Sequence, residues 1–205
     1  MNEPKIVITG DFYAGKTTFS RYLESQGWTF IDHTGLLKTL GYTALQAAGA
    51  EIPASDLSTH KDKYRRFLEE LGVLINWDEG FGVREALRRW RADGARTPVV
   101  LDTVRTIPQW LILEEEGFRL VRLVVPMEVR RRRAAAQGVS SERLIEIQSY
   151  LNQSLLPPQE GEIILHGARA YNSGPEVTYE ELSPADLLDE LNRSLGVTVP
   201  TLEAL

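Results

Sequence analysis

Residues Gly10-Asp11-Phe12-Tyr13-Ala14-Gly15-Lys16-Thr17 follow the spacing G-x-x-x-x-G-K-S/T. Before them, Lys5-Ile6-Val7-Ile8-Thr9 reads as a short buried strand. After them, Thr18-Phe19-Ser20-Arg21-Tyr22-Leu23 opens a helix with Phe19, Tyr22 and Leu23 on one face. A strand, a glycine-bearing loop and a helix in that order leave few folds open. In such a loop, successive backbone N–H groups and the positive end of the helix dipole surround a phosphate chain. The lysine ammonium reaches the terminal phosphates, the threonine hydroxyl ligates Mg²⁺, and Thr18 continues the cradle into the helix. Gly10 and Gly15 give the backbone room that a Cβ would take. The pattern implies a nucleoside triphosphate site.

Composition narrows the class. With 205 residues, a single domain or a domain with a small insertion is expected. An apolar share of 42% suffices for a packed core, and a net charge of −6 argues against a broad nucleic-acid surface without excluding a local basic groove. The absence of cysteine excludes disulfides, thiolate metal sites and cysteine nucleophiles. No apolar run has membrane-spanning length, and the first strand lies close to Met1. A soluble, cytoplasmic protein without a signal peptide is expected. A homodimer is compatible with the sequence and not required by it.

The rest of the chain alternates strands and helices. Gly27 to Asp32 reads as a second strand ending in a carboxylate. A helix from about Gly35 to Ala48 follows, then a polar connector from Glu51 to Ser58. Further helices are expected at about Thr59 to Leu71 and Gly82 to Arg91. Pro98 to Asp102 is the third strand and Phe118 to Val125 the fourth, with a helix from Pro108 to Gly117 between them. Helices are expected from Met127 to Gln137 and from Ser141 to Ser154. Pro157-Pro158 breaks the chain, Ala168 to Asn172 reads as the last strand, and Ser183-Pro184 starts a final helix through about Asn192. This alternation means a parallel sheet with helices on both faces.

Open α/β sheets bind ligands at the carboxyl ends of their strands, where Asp32, Asp102 and Arg105 also arrive. Asp102 ends an apolar strand, the usual form of the carboxylate that holds a metal's water shell, although aspartate also caps strands. Arg105 is either a bidentate partner for an anionic acceptor or a solvated loop arginine. Of the run Arg130 to Arg133, only Arg130 and Arg133 share a helix face. The run therefore reads as a solvated helix from which Arg133, with Arg130, closes over a transferring phosphoryl group. His33, His60 and His166 lack metal-ligand spacing. Trp90 and Trp110 read as core, and Trp77, in an irregular stretch before Gly80, as a base-stacking candidate.

Taken in order, these motifs resemble the nucleoside-monophosphate-kinase-like branch of the P-loop kinases, and most of all the phage-type deoxynucleoside monophosphate kinases. Phe30-Ile31-Asp32 with Leu36-Leu37-Lys38 is similar to the family's F-A-D-P-L-K segment, and Arg65 to Gly72 to its R-x-L-L-Q-x-x-G helix. Leu101 to Arg105 resembles its D-V-R strand end, Pro126 to Arg133 its P-x-E-x-R-x-x-R lid helix, and Tyr171-Asn172-Ser173-Gly174 the end of its last strand. Three stretches depart from it. Gln137 replaces a further lid arginine, Thr106, Pro108 and Gln109 replace an aromatic and an Asn-Glu pair, and Val73-Leu74 replace Thr-Glu. The D-G-x-P-R loop of adenylate kinases is absent at Asp102.

The resemblance implies one α/β/α P-loop kinase domain over 1–205. Its parallel sheet has five strands in the order 2-3-1-4-5, with a helical acceptor-binding region at 35–91 and a short lid at about 133–142. It implies ATP with Mg²⁺, bound by Gly10 to Thr18, Arg130 and Arg133, with Thr17 and Asp102 at the metal. A nucleotide acceptor would meet Asp32, Lys38, Arg65, Arg66, Trp77 and Arg105, and Lys16, Asp32, Arg105 and Arg133 would carry the chemistry. Three functions stay open. The first is a (deoxy)nucleoside monophosphate kinase, which needs no general base. The second is a hydroxyl kinase acting on a nucleoside, dephospho-coenzyme A or a hydroxymethylated base in DNA, with Asp32 as base. The third is a non-enzymatic nucleotide-binding regulator.

Overall fold

A computed structural model describes residues 3–53, 55–59, 61–151, 156–172 and 177–196. β1 (Lys5–Gly10) leads through the glycine loop into α1 (Lys16–Ser25), and β2 (Thr29–Ile31) into α2 (His33–Ala47). A helical region follows, with α3 (Asp56–Thr59), α4 (Lys61–Leu74), a π-helical turn at Trp77–Phe81, and α5 (Gly82–Ala92). Then come β3 (Val99–Asp102), α6 (Ile107–Glu115), β4 (Arg119–Val124), α7 (Met127–Ala136), α8 (Ser141–Leu151) and β5 (Ile163–His166). A hairpin of β6 (Ala168–Asn172) and β7 (Val177–Glu181) precedes α9 (Pro184–Leu195).

β1 to β5 form one parallel sheet in the order β2-β3-β1-β4-β5, with helices on both faces. Strand alternation sorts the core into two layers. Ile6, Ile8, Val100, Val121 and Leu123 face one side, with Phe19 and Leu23 of α1 and Leu187, Leu188 and Leu191 of α9. Val7, Val99, Leu101 and Leu120 face the other, against Val83, Leu87 and Trp90 of α5 and Trp110 and Leu113 of α6. Each such fully buried Leu, Ile or Val stabilises the fold by about 1.5–3 kcal/mol before entropy is counted. α5 shows why it lies flat on the sheet, since Val83, Ala86, Leu87 and Trp90 recur at helical spacing and are all buried. α9 begins with a capping box between Ser183 and Asp186 and ends at Gly196 in the left-handed region.

One strand expectation is corrected. The fifth parallel strand is Ile163–His166, paired with β4, and Ala168–Asn172 belongs to the antiparallel hairpin. Gly167 makes the change of direction. Its N–H donates to Val124 O at 2.9 Å, and a Cβ there would lie 2.7 Å from Val125 Cγ2. Ser173 and Gly174, which complete the last-strand motif, and Asn152 to Ser154 at the expected end of α8 lie outside the described residues.

Candidate active site

The loop between β1 and α1 is shaped by residues that leave ordinary backbone space. Gly10 has φ 140°, and a Cβ there would sit 2.4 Å from Leu123 O of the neighbouring strand. Gly15, at φ 94°, caps α1 in the left-handed region, and Tyr13 joins it there at φ 58°. The chain therefore wraps tightly and turns into the N-terminus of α1. Lys16 folds back over this loop, its Nζ donating to Gly10 O at 2.9 Å and Asp11 O at 2.8 Å. Burial, helped by the positive charge of Arg105, lowers its pKa to about 8.

Asp102, buried at the end of β3, meets the loop from the other side. Its Oδ2 accepts from Thr17 Oγ1 at 3.1 Å and its Oδ1 from Thr103 Oγ1 at 2.8 Å. Thr103 holds that position at φ 66°, a strained conformation for a β-branched residue and one that clusters at functional sites. A hydroxyl beside one carboxylate oxygen suits a hard divalent cation. The described residues contain no group of three or more His, Cys, Asp or Glu able to hold a metal by themselves. The donor set fits Mg²⁺, which keeps most of its shell for phosphate oxygens and water.

α7 supplies two arginines, in different roles. Arg130 is buried under the loop, with Nη2 3.2 Å from Asp11 Oδ2 and Nε donating to Val125 O at 3.2 Å. Arg133 lies across the loop, Nη1 donating to Ala14 O at 2.7 Å and Tyr13 O at 3.2 Å. Its other side forms a two-point pair with Glu181 of β7 at 2.9 and 2.8 Å. Arg131 lies 3.9 Å from Glu128, and Arg132 shares Glu181 with Arg133 at 3.5 Å. Glu181 was not legible as a functional residue, because its partner lies 48 positions away in the chain.

The expected acceptor residues divide. Arg105 comes to the loop, with its guanidinium 5.7 Å from the Phe12 ring centroid, on the ring that also carries Lys16 Nζ at 5.8 Å. Asp32 caps α2, accepting from Gly35 N at 2.6 Å and Thr34 Oγ1 at 3.2 Å, and Lys38 is half-buried on the same helix. Arg66 pairs with Glu70 on α4 with 91% of its side chain exposed, so it does not join the cluster at Lys16. The side chain of Arg65 lies outside the described residues.

Trp77, expected as a base-stacking residue, packs inside the protein. Its ring is buried, stacked on His33 at 4.9 Å, and so close to Gly82 that a Cβ there would lie 2.6 Å from it. Trp90 and Trp110 are core residues, as expected. His33, Gln109 and Thr106 are site neighbours that sequence reading missed. His33 is buried, its Nδ1 is 3.4 Å from Asp102 O, and burial lowers its pKa to about 4. A groove of about 920 Å³ is lined by Phe30, Asp32, Gly35, Trp90 and Arg96.

No protein-family model matches the chain, and no curated protein matches it. Solved structures do. A sugar kinase from a Janibacter species aligns over 96% of this chain and 96% of its own, at 15% identity and a TM-score of 0.52. A gluconokinase from Sinorhizobium meliloti aligns over 95% and 92%, at 17% identity and 0.50. The tunicamycin resistance protein of Deinococcus radiodurans aligns over 97% and 98%, at 14% identity and 0.50. At this identity the likeness is one of fold. The described residues have a three-layer α/β/α architecture with a five-stranded parallel sheet, matching the fold of these kinases. No helix among the described residues is long and apolar enough to cross a membrane.

Proposed function

We propose that the chain is an ATP-dependent phosphotransferase that moves the γ-phosphoryl group of ATP to a (deoxy)nucleoside monophosphate. One observation carries this reading. Lys16, whose pKa is lowered first by burial and then by the charge of Arg105, and Arg105 itself both lie within 6 Å of the Phe12 ring of the glycine loop. Asp102 and Asp11 offset part of this positive charge, and a phosphate chain bound at the loop would offset the rest.

In this reading the loop N–H groups and the start of α1 hold the β- and γ-phosphates, and Lys16 exchanges its carbonyl partners for phosphate oxygens. Thr17 and Asp102 would hold Mg²⁺, which supplies charge neutralisation at the phosphates when bound. Arg105 faces the acceptor phosphate and brings it in line with the γ-phosphorus. An ionised phosphate oxygen attacks without losing a proton, so positioning and charge neutralisation suffice. Arg130 supports the loop from below through Asp11, and Arg133 is placed to trade its loop carbonyls for the transferring group.

A hydroxyl acceptor is the second reading. It is favoured by the names of two structural neighbours, a sugar kinase and a gluconokinase, and by the carboxylate of Asp32 at the end of β2. Asp32 would then take the hydroxyl proton. Incubation with ATP, Mg²⁺ and a panel of nucleoside monophosphates, nucleosides, sugars, dephospho-coenzyme A and hydroxymethylated DNA decides between the two. ADP formed with nucleoside monophosphates supports the first reading, and ADP formed only with neutral hydroxyl compounds replaces it with the second.

A further inference from the structure

The segment that carries Arg105 is pinned at every residue. Thr103 N–H donates to Ile8 O at 3.1 Å, Val104 O accepts from Thr9 Oγ1 at 3.0 Å, and Arg105 N–H donates to Gln109 Oε1 at 2.9 Å. Thr106 Oγ1 donates to Asp78 O at 2.5 Å. Two of these four ties reach β1 and the other two involve Gln109 and the π-helical turn. Gln109 is 1% exposed and spends both ends of its amide, since Nε2 donates to Trp77 O at 3.2 Å. The chemistry allows one orientation only, because a backbone N–H must donate and a carbonyl must accept. No other side chain of that length offers an uncharged acceptor and donor together.

The turn that Gln109 holds has two residues outside ordinary backbone space. Asn76, at φ 52°, enters it, and Gly80, at φ 101°, sits where a Cβ would lie 2.3 Å from Ile112 Cδ1. Trp77 stacks on His33, whose Nδ1 faces the carbonyl of Asp102. That carbonyl can only accept, so Nδ1 is the nitrogen that donates to it. The contacts form a closed circuit. It runs from Asp102 through His33 and Trp77 to Gln109, on to the backbone of Arg105, and back to the loop at Phe12. Gly80 leaves helical backbone space within the turn, so the segment is a kink leading into α5.

We propose that Gln109 is a positioning residue for anion capture by Arg105, and that the Trp77–Phe81 turn is thereby a wall of the acceptor site. This rests on the reading that Arg105 meets the acceptor phosphate. Of the three residues by which this chain departs from the family pattern after Arg105, Thr106 and Gln109 bind the turn. The altered acceptor motif is therefore a different way of holding the same arginine.

The test is a double-mutant cycle on phosphate binding. Inorganic phosphate is titrated calorimetrically into protein saturated with Mg-ADP, for the wild type, Gln109→Met, Arg105→Ala and the double variant. Gln109→Met should weaken phosphate binding about tenfold while leaving Mg-ADP affinity unchanged, and the double variant should bind no more weakly than Arg105→Ala alone. Wild-type phosphate affinity in Gln109→Met, or a double variant whose loss is the product of the two single losses, overturns the proposal. If Gln109→Met does not fold, the wild type decides through hydrogen exchange in the Mg-ADP complex. Adding phosphate should slow residues 103–109 and 77–81 together, and slowing at 103–109 alone overturns the proposal. Mg-ADP binding without phosphate binding overturns this inference and spares the nucleotide site, whereas absence of Mg-ADP binding overturns both.

Discussion

The two halves of the candidate site are built from different materials. On the donor side, the loop shapes itself with Gly10, Tyr13 and Gly15 and offers backbone groups to the ligand, while Lys16 and Arg133 bond to loop carbonyls. On the acceptor side, side chains form the walls. Asp32, His33, Trp77, Arg105 and Gln109 come from segments far apart in sequence, and stacking and amide bonds tie the last four together. Backbone geometry demands particular residues at fixed spacing, so the donor half leaves a motif. A side-chain lattice can be rebuilt with other residues, so the acceptor half leaves almost none.

If that contrast is real, donor-side substitutions should cost most. Lys16→Ala removes the cation that neutralises the β- and γ-phosphates and should lower kcat by about a hundredfold to a thousandfold, with the circular dichroism spectrum unchanged. Unaltered turnover would break the donor half of the comparison outright. Asp102→Asn should come next, with a loss on the order of a hundredfold and a higher Mg²⁺ requirement, because it removes the negative charge of the Thr17–Asp102 pair. A normal Mg²⁺ titration in that variant would remove Asp102 from the metal.

Arg105→Ala and Asp32→Asn sharpen the acceptor half. With a monophosphate acceptor, Arg105→Ala should raise acceptor KM and reduce kcat, together about tenfold to a hundredfold in kcat/KM, and Asp32→Asn should cost less. The reverse order, with kcat collapsing in Asp32→Asn, would promote the hydroxyl acceptor and leave Arg105 as a structural arginine.

A smaller effect is expected from pH. The Lys16 ammonium, with its pKa lowered to about 8 in the free protein, is charged below that value. Bound phosphates raise its pKa again, so above pH 8 binding must take up a proton and ATP affinity should fall by up to about tenfold per pH unit. Lys16→Arg, charged throughout, should bind ATP with a flat profile over the same range, and a flat wild-type profile would contradict the burial of Lys16. The smallest change concerns Glu181. Glu181→Gln removes a partly exposed partner of Arg133 and should strengthen ATP binding by no more than about fivefold, as measured by titration. A loss of affinity would mean that the hairpin positions Arg133 rather than competing for it.

The fold was legible where apolar periodicity and punctuation agree. β1, β3, β4 and α5 fall within a residue or two of their expected limits, because their buried runs are long enough to show. β5 was not legible. Ile163 to Leu165 is a run of three apolar residues, and the Tyr171-Asn172 motif drew the last strand to a segment that leaves the sheet at Gly167. Within the site, the loop and the arrival of Asp102, Arg130 and Arg133 beside it could be anticipated from spacing, but the burial of Arg130 apart from Arg133 could not. The Gln109 bridge and the stacking of Trp77 on His33 could not, since each depends on contacts across 32 or more positions of chain.

The most direct test follows the phosphorus. ³¹P spectra of ATP, Mg²⁺ and a mixture of nucleoside monophosphates should show, with catalytic amounts of the protein, ADP accumulating with loss of the monophosphate resonances and no orthophosphate. Spectra that stay unchanged, or that show orthophosphate as the only new phosphorus besides ADP, would contradict phosphoryl transfer to a nucleotide.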